Sequence, residues 1–544
     1  MIGILHGYLL DGSGSNLWTR NIVQALCAAG QEVHLVCQEP HPEHFPFVAA
    51  AHEVREDGSV HVLFERSTPF PGRCTLHRPW IGETLPVYVP DRYEAFERVV
   101  PMTELSTAEV EAYVGRNVAA VAGIVERHGI RALHANHAVL MPTVARRIKE
   151  SLRVPYTILP HGSALEYAVR RDVRFHALAS EAMAQAGVVL AVGAEMRTRI
   201  LEIFPEVAGL EARTSVLRLG VDTALFEPAT AAERPARLER LREALAELPR
   251  GKRAEQRAAT TRAAREAEDV DALADAFRSA SDYAQKYPDA ELEDALKGLA
   301  DCAPTVLFVG RLIGAKGIHA VVAAFPDVLE RVPDARLVVV GHGPEREPLE
   351  GLVAALATGE PARVRRVLEA ARRLEGSAET APPPEVEEAL VRAVVRAPAG
   401  CAMLAEPGRV LFTGYLAHAE LALLFPCADV GVFPSVVLEA GPLVFLEAVA
   451  SGVFPVGTEA GGMAHSIAEA GEVVMATDRQ AMKLPPDHGA LVPALATAIP
   501  AALRAAPAAR EALATLARER WDWRSIAASL AGTLDRLAER MGPE

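Results

Sequence analysis

The chain has 544 residues, half of them apolar, with a formal net charge of −15. That length exceeds what one hydrophobic core usually serves, and the composition excludes disorder, so at least two globular domains are expected. The negative balance excludes a general affinity for nucleic acid, whose phosphates are held by basic fields that release counterions.

Residues 1–228 alternate short apolar runs with helical patterns: MIGILHG (1–7), EVHLVCQE (32–39), VHVLFE (60–65), ALHAN (132–136), PYTILPHG (155–162), GVVLAVG (187–193) and SVLRLGVD (215–222). Continuous apolar strands separated by helices predict a parallel sheet covered on both faces. A capping box, Ser106 with Glu109 ahead of Val110, Val114, Val118 and Val121, predicts a helix from about Ser106. The basic runs Arg146, Arg147, Lys149, Arg153 and Arg170, Arg171, Arg174 read as solvated helix faces.

Between 229 and 300, and again from about 352 to 407, the texture turns to Ala, Arg and Glu with almost no strand signal. Both stretches read as inserted helical hairpins or long solvated helices, with a direct role in substrate choice not expected. Strand and helix alternation resumes with TVLFVG (305–310), ARLVVVGHG (335–343), RVLFTG (409–414), ADVGVFPS (428–435), VFPVGTE (453–459) and EVVM (472–475). A second parallel α/β domain is predicted over 301–510, with ligands expected at the carboxyl ends of its strands. A helical tail, 511–544, carries Trp521 and Trp523.

The start MIGILHGYLL lacks a basic stretch and a small-residue cleavage site, so it reads as a first strand rather than a signal peptide. Nowhere do eighteen apolar residues run together, so no spanning helix is expected and membrane contact is at most peripheral. Six scattered cysteines without a Cys-x-x-Cys suit a reducing cytoplasm.

Chemistry concentrates in four places. Strand 305–310 runs into Gly310, Arg311 and Leu312, with Lys316 and Gly317 just before a helix starting near Ile318. Two cations at a strand end, glycines that permit close approach and a helix N-terminus behind them suit a diphosphate, although surface charges at a domain edge have the same pattern. In PSVVLEAGPLVFLEAVASG (434–452), Glu439 in a loop and Glu447 one turn into a helix starting near Leu443 can accept from sugar hydroxyls, or be solvated helix-end acids. Gly341, His342, Gly343 and Pro344 form a Gly-x-Gly turn after a strand. The loop DGSGSN (11–16), with Gly12, Ser13 and Gly14, leads into a helix near Leu17, either as a flexible connection or with backbone amides free to meet a ligand.

In order and spacing these pieces resemble the retaining glycosyltransferases of family 4, which have the GT-B architecture. The matching residues are Gly12 and Gly14; His161 and Gly162; Gly220, Val221, Asp222, Phe226 and Pro228; Gly310, Arg311, Leu312, Lys316 and Gly317; Gly341, Gly343 and Pro344; Gly414; Pro434 and Ser435; Glu439 and Glu447; and Gly461 with Gly462. The resemblance implies two doubly wound Rossmann-like domains facing a cleft, the first taking the acceptor and the second the nucleotide sugar, and a C-terminal helix that crosses back. It also implies hexose transfer from a UDP-glucose or GDP-mannose type donor with retention of configuration and without a metal or other cofactor. Arg311 and Lys316 would hold the diphosphate, Glu439 the donor sugar, Glu447 the ribose, and amides near Gly441 and Leu443 the phosphate. Gly343 and the turn Gly414, Tyr415, Leu416 would border the nucleotide, and His161 would line the acceptor side with Gly12, Ser13 and Gly14. The acceptor, a carbohydrate, lipid or other small molecule, and the oligomeric state are unassigned.

The run Glu439, Ala440, Gly441, Pro442 departs from the family, since Pro442 lacks an N–H to offer a phosphate. A non-catalytic relative that binds nucleotide or a protein partner is the alternative. A nicotinamide oxidoreductase would need a Gly-x-Gly-x-x-Gly fingerprint, which the loop after the first strand lacks.

Overall fold

The computed structural model describes residues 1–10, 13–88, 96–281, 286–299, 303–374, 381–439, 441 and 443–540. Two compact units emerge, Met1–Gly220 with Trp521–Glu544, and Val221–Arg520. The division thus falls at Gly220 rather than 228 and at Arg520 rather than 510, and residues 229–300 belong to the second unit instead of forming a linker.

The first unit contains β1 (Ile2–Leu5), β2 (Glu32–Val36), β3 (Val48–Val54), β4 (Val60–Glu65), β5 (Arg73–Pro79), β6 (Thr84–Val87), β7 (Arg98–Pro101), β8 (Ala132–Asn136), β9 (Tyr156–Leu159), β10 (Val188–Ala191) and β11 (Thr214–Val216). Among the described residues nine of these make one sheet in the order β11-β10-β9-β8-β1-β2-β5-β3-β4, while β6 and β7 pair separately. Pairing is parallel except at β4, which returns antiparallel to β3. The expected all-parallel sheet fails there because a tight turn, with Gly58 at φ +78° and Asp57 accepting from the Ser59 amide, sends the chain straight back.

The helix Thr107–His128 starts on the expected reciprocal cap between Ser106 and Glu109 and stops at Gly129, φ +62°. The C-terminal helix Trp523–Arg540 packs on the helix Gly14–Ala28. Trp18 meets Trp523 edge to face at 6.4 Å. A Cβ at Gly220 would sit 2.4 Å from the Trp523 ring and one at Gly187 2.6 Å from Leu537, so both positions admit only hydrogen.

The second unit is built on β12 (Thr305–Val309), β13 (Arg336–Val340), β14 (Val410–Gly414), β15 (Val430–Phe433), β16 (Phe454–Thr458) and β17 (Lys483–Leu484), ordered β14-β13-β12-β15-β16-β17 and parallel throughout. The run EVVM, expected as a strand, instead ends the helix Gly461–Glu472 and continues as irregular chain. Only Val474 of that run packs inward, at 3% exposure, while Met475 stands 63% exposed, so the segment has no sheet edge to fill. The helix His488–Arg520 is long and apolar enough to cross a membrane by length and composition, contrary to expectation. Its Leu491, Leu495, Ile499 and Leu513 are buried, and it packs on the helices Ile318–Arg331 and Leu443–Ala450 and on β16, the position of a core helix. The two architectures together are the GT-B fold.

The inserted helices Arg234–Ala246, Ala254–Glu266, Val270–Ala280 and Leu292–Lys297, and the later Pro361–Ala371 and Pro384–Arg396, form a layer on the second unit. That layer is fastened by buried charges. Lys252 Nζ reaches Glu350 Oε2 (2.6 Å) and Glu347 Oε1 (3.0 Å), and Arg346 reaches Asp289 Oδ2 and Glu350 Oε1, both at 2.7 Å. Removing one member leaves an uncompensated buried charge, at a typical cost of about 3–5 kcal/mol. Lys252→Met is therefore expected to lower the unfolding free energy by that order, read as a fall in the urea midpoint of the far-UV circular dichroism transition at constant m; an unchanged midpoint would show the cluster to be dispensable.

Candidate functional site

In the second unit the predicted residues gather at the carboxyl ends of the strands. Gly310 leaves β12 with its amide on Val340 O (3.0 Å), and the Leu312 amide bonds His342 O (2.9 Å). A Cβ at Gly341 would lie 1.9 Å from Gly310 O, and one at Gly343 2.5 Å from Leu312 O, so these glycines let two loops touch backbone to backbone. Arg311 projects from this floor with an exposed side chain.

Lys316 ends a single helical turn, Gly314–Lys316, and Gly317 (φ +72°) turns the chain into the helix Ile318–Arg331. A Cβ at Gly317 would stand 1.8 Å from Pro434 O, while Ala315 O accepts from the Val436 amide (3.0 Å) and Ser435 Oγ (3.1 Å). This clamp brings Lys316 Nζ to 2.8 Å from Glu439 Oε1, joining residues far apart in sequence. The Glu439 carbonyl accepts from the Gly462 amide (2.7 Å), and a Cβ at Gly461 would crowd it at 2.7 Å. Gly441 has φ +155°, and Leu443 opens the helix Leu443–Ala450.

Glu447, one turn into that helix, is 4% exposed. His418 Nδ1 lies 3.0 Å from its Oε1, whereas Oε2 is buried with no hydrogen-bond partner among the described residues. A buried carboxylate oxygen without a donor favours a ligand hydroxyl. Leu416 is buried beside the turn at Gly414. Gly12, Ala440 and Pro442 lie outside the described residues, so the departure at Pro442 has no structural account here.

The sequence did not disclose what covers Gly414. The inserted chain lays Tyr287–Asp289 along the end of β14: Asp289 N donates to Thr413 O (2.8 Å), Tyr415 N donates to Tyr287 O (3.0 Å), and Pro288 bridges Gly414. His342 packs edge-on to Tyr415 at 5.4 Å, and burial with Lys286 and Arg311 nearby pushes its pKa down to about 4. The insertion thus packs directly on the turn that ends β14 rather than standing free as a solvated helix.

In the first unit His161 follows β9 and precedes a one-turn helix, Gly162–Ala164, with its Nε2 buried and unpartnered among the described residues. Ser13 caps the helix Gly14–Ala28, accepting from the Asn16 amide (3.3 Å). Three residues missed by the sequence reading join them. His6, after β1, donates from Nε2 to Leu9 O (2.9 Å) and Asn16 Oδ1 (3.0 Å). His137, after β8, sits 4.9 Å from the His161 ring at φ +70° with both ring nitrogens buried and unpartnered among the described residues. Tyr88 lies 4.8 Å from the His137 ring. Backbone strain in a non-glycine residue marks functional sites, and the polar run Asn136-His137 at a strand's carboxyl end was the available signal.

Two segments match known families: residues 290–364 and residues 382–499 each match a model described as Glycosyl transferases group 1. An uncharacterised glycosyltransferase of Methanocaldococcus jannaschii is 29% identical over 170 residues, 31% of either chain. Glycogen synthase of Mycobacterium tuberculosis is 29% identical over 230 residues, 42% of this chain and 41% of that one. The chain therefore aligns with well under half the length of these curated relatives. A solved structure of HepE from Anabaena, in complex with UDP and glucose, superposes with TM-score 0.53 at 15% identity, covering 99% of this chain and 100% of that one. Fold and matches together define the class: a GT-B fold whose second unit contains two segments that match glycosyl transferases group 1 models.

Burial holds four imidazoles of the first unit neutral: pKa values fall to about 4 at His6 and about 3 at His134 and His161, and well below the usual range at His137. The unfolded chain takes up these protons near pH 6.5, so their contribution is complete above pH 6.5 and is lost as pH falls towards 4, by about 1.4 kcal/mol per pH unit for each fully buried ring. All four tryptophans, Trp18, Trp80, Trp521 and Trp523, belong to this unit, so their fluorescence reports it selectively. The melting transition seen by tryptophan fluorescence is expected to drop steeply between pH 7 and pH 5; a flat profile would mean these rings are charged or solvated when folded.

Proposed function

We propose that the protein is a retaining glycosyltransferase that moves a hexose from a nucleoside diphosphate sugar to a hydroxyl acceptor without a metal. The observation that carries this reading is the Lys316–Glu439 pair at 2.8 Å beside Arg311, together with the unsatisfied Oε2 of Glu447. Arg311 and Lys316 bind the diphosphate and stabilise the charge that builds on the departing nucleoside diphosphate. Glu439, held by Lys316 and the Gly462 amide, accepts from hydroxyls of the sugar, and Glu447, steadied by His418, accepts from the ribose. Amides near Gly441 and Leu443 complete the phosphate cradle at a helix N-terminus. Each carboxylate already faces a cationic or imidazole partner, an arrangement suited to hydroxyls rather than to a divalent ion.

His161, with His6 and His137, belongs to the acceptor side, where a neutral imidazole offers a hydrogen bond without a fixed charge. Ser13 and Gly14 border the same side. Attack from the face that the nucleotide leaves retains configuration with no covalent enzyme intermediate. HepE was solved with UDP and glucose, which favours a UDP-glucose type donor over GDP-mannose. The five described cysteines, Cys27, Cys37, Cys74, Cys401 and Cys427, are buried thiols, in keeping with a reducing cytoplasm.

The test is nucleotide-sugar turnover, with and without EDTA, on the intact chain. Turnover should survive EDTA, Arg311→Ala should lower kcat/KM at least about 100-fold, and Glu447→Gln should act mainly on the donor KM. Full activity in Arg311→Ala would remove its phosphate role. Nucleoside diphosphate binding with neither transfer nor donor hydrolysis would replace the reading with that of a regulatory binding module. The anomeric configuration of the product, read by NMR, decides retention.

A further inference from the structure

A second cluster of histidines lies in the first unit, apart from those at the strand ends. The sheet register pairs His34 with Thr75 and Val36 with His77, which puts His34 and His77 on one face of the adjacent strands β2 and β5. His52 sits directly opposite His77 on β3. His128 is the last residue of the helix Thr107–His128, which packs over β5. One ring nitrogen from each of His34, His77 and His128 lies within 4.8 Å of the other two. His34 Nδ1 and His77 Nε2 are 3.0 Å apart, close to the roughly 3.3 Å that separates two nitrogens bound to one tetrahedral zinc.

The polar accounting at this spot does not close without a further group. His34 Nε2, His52 Nδ1, His77 Nδ1 and His128 Nε2 are all buried without a hydrogen-bond partner among the described residues. Neutral His34 and His77 each carry one N–H and one lone pair, so the facing Nδ1 and Nε2 either share one proton or, with both N–H groups turned outward, present two lone pairs to a cation. Natural cores rarely leave several buried nitrogens unsatisfied in one place. A bound cation consumes the lone pairs and ties three elements of the unit together.

We propose that His34, His77 and His128 form a binding site for one divalent cation of the zinc class, with His52 bordering the fourth coordination position. Neutral imidazole is the ligand form, and burial keeps it so, with the pKa of His34 down to about 4 and that of His77 lower still. Imidazole donors select zinc, copper, nickel or iron over magnesium and calcium. Arg73 and Arg127 raise the local potential, and Glu65, paired with Arg73 at 2.5 Å, and Glu32, 3.9 Å from His34 Nε2, offset it. Glu32 also stands where a carboxylate orients a ligating imidazole from behind. His34 and His77 lie within β2 and β5 rather than beyond their carboxyl ends, so the cation is assigned to holding the fold of the first unit.

The experiment uses the full chain, stripped with EDTA and dialysed, then titrated with Zn2+ by calorimetry and with Co2+ by visible absorption. One equivalent is expected per chain, the Co2+ form should show the intense bands of four-coordinate nitrogen ligation, and Zn2+ should raise the tryptophan-monitored Tm by about 5 °C or more. His128→Gln, at a partly exposed helix end, should weaken binding at least about 10-fold and abolish the Tm rise with the fold retained. His77→Gln should do the same. The exposed pair His41 and His44 beside Glu43 is the obvious adventitious site, so the double variant H41Q/H44Q serves as control and should keep the full equivalent. Absence of Co2+ bands, binding that survives His128→Gln unchanged, or binding lost in H41Q/H44Q would each overturn the proposal.

Discussion

The second unit depends on main-chain contact between loops that side chains would hold apart. The Gly341 amide meets Gly414 O at 2.9 Å, the Leu312 amide meets His342 O at 2.9 Å, and Gly317 lies where any Cβ would strike Pro434 O. These contacts fuse the ends of β12, β13, β14 and β15 into one continuous floor. Once the 434–436 segment is hung on Ala315 O, Glu439 has little choice but to meet Lys316. The chemistry of the site is therefore a consequence of backbone proximity, and the glycines matter more for what they leave out than for what they contribute.

A second constraint rests on that floor. The helix Arg346–Leu356 begins just past Gly343, and its first two turns carry Arg346, Glu347 and Glu350 inward to Lys252 and Asp289 of the insertion. With Arg257 at 3.4 Å from Asp289, three cations face three carboxylates in a buried setting. An apolar layer could be as stable, because desolvating charges offsets most of their attraction. What the ionic layer adds is register, since Asp289 can satisfy Arg346 only with its own amide on Thr413 O. The same register delivers Tyr287 to the turn at Gly414 and Tyr415, where its carbonyl accepts from the Tyr415 amide.

Several parallel strands were legible because β1, β12 and β13 are dominated by apolar, β-branched runs, the pattern that burial on both faces imposes. Strands β3 and β5 were not, because VAAAHEV and RCTLHRP carry alanine, histidine and arginine where β-branched residues would signal a strand. Their polar members are accommodated by partners distant in sequence, such as the Arg78–Glu53 ion pair, which no local window contains. The order of glycines and acids exposed the second-unit site through resemblance, but Lys316 meeting Glu439 is a tertiary fact. The insertion was misjudged for the same reason: Lys252 and Glu350 look like solvated charges until their long-range pairing is seen.

The histidines of the first unit show how one residue type divides by its partners. His6 is fixed by Leu9 O and Asn16, with Thr19 Oγ1 at 3.1 Å from Nδ1, so protein donors and acceptors set its orientation, while His134 is held on one side only, Nδ1 lying 2.7 Å from Thr157 Oγ1. His137 and His161 keep nitrogens unpartnered at the carboxyl ends of strands, the edge where α/β folds receive ligands. His34, His77 and His128 keep theirs between the sheet and the end of its covering helix, with one ring nitrogen of each within 4.8 Å of the others. His134 Nε2 is also buried without a partner among the described residues, so an unsatisfied ring nitrogen is no signal by itself; the convergence of three rings on one point is what supports the proposed metal.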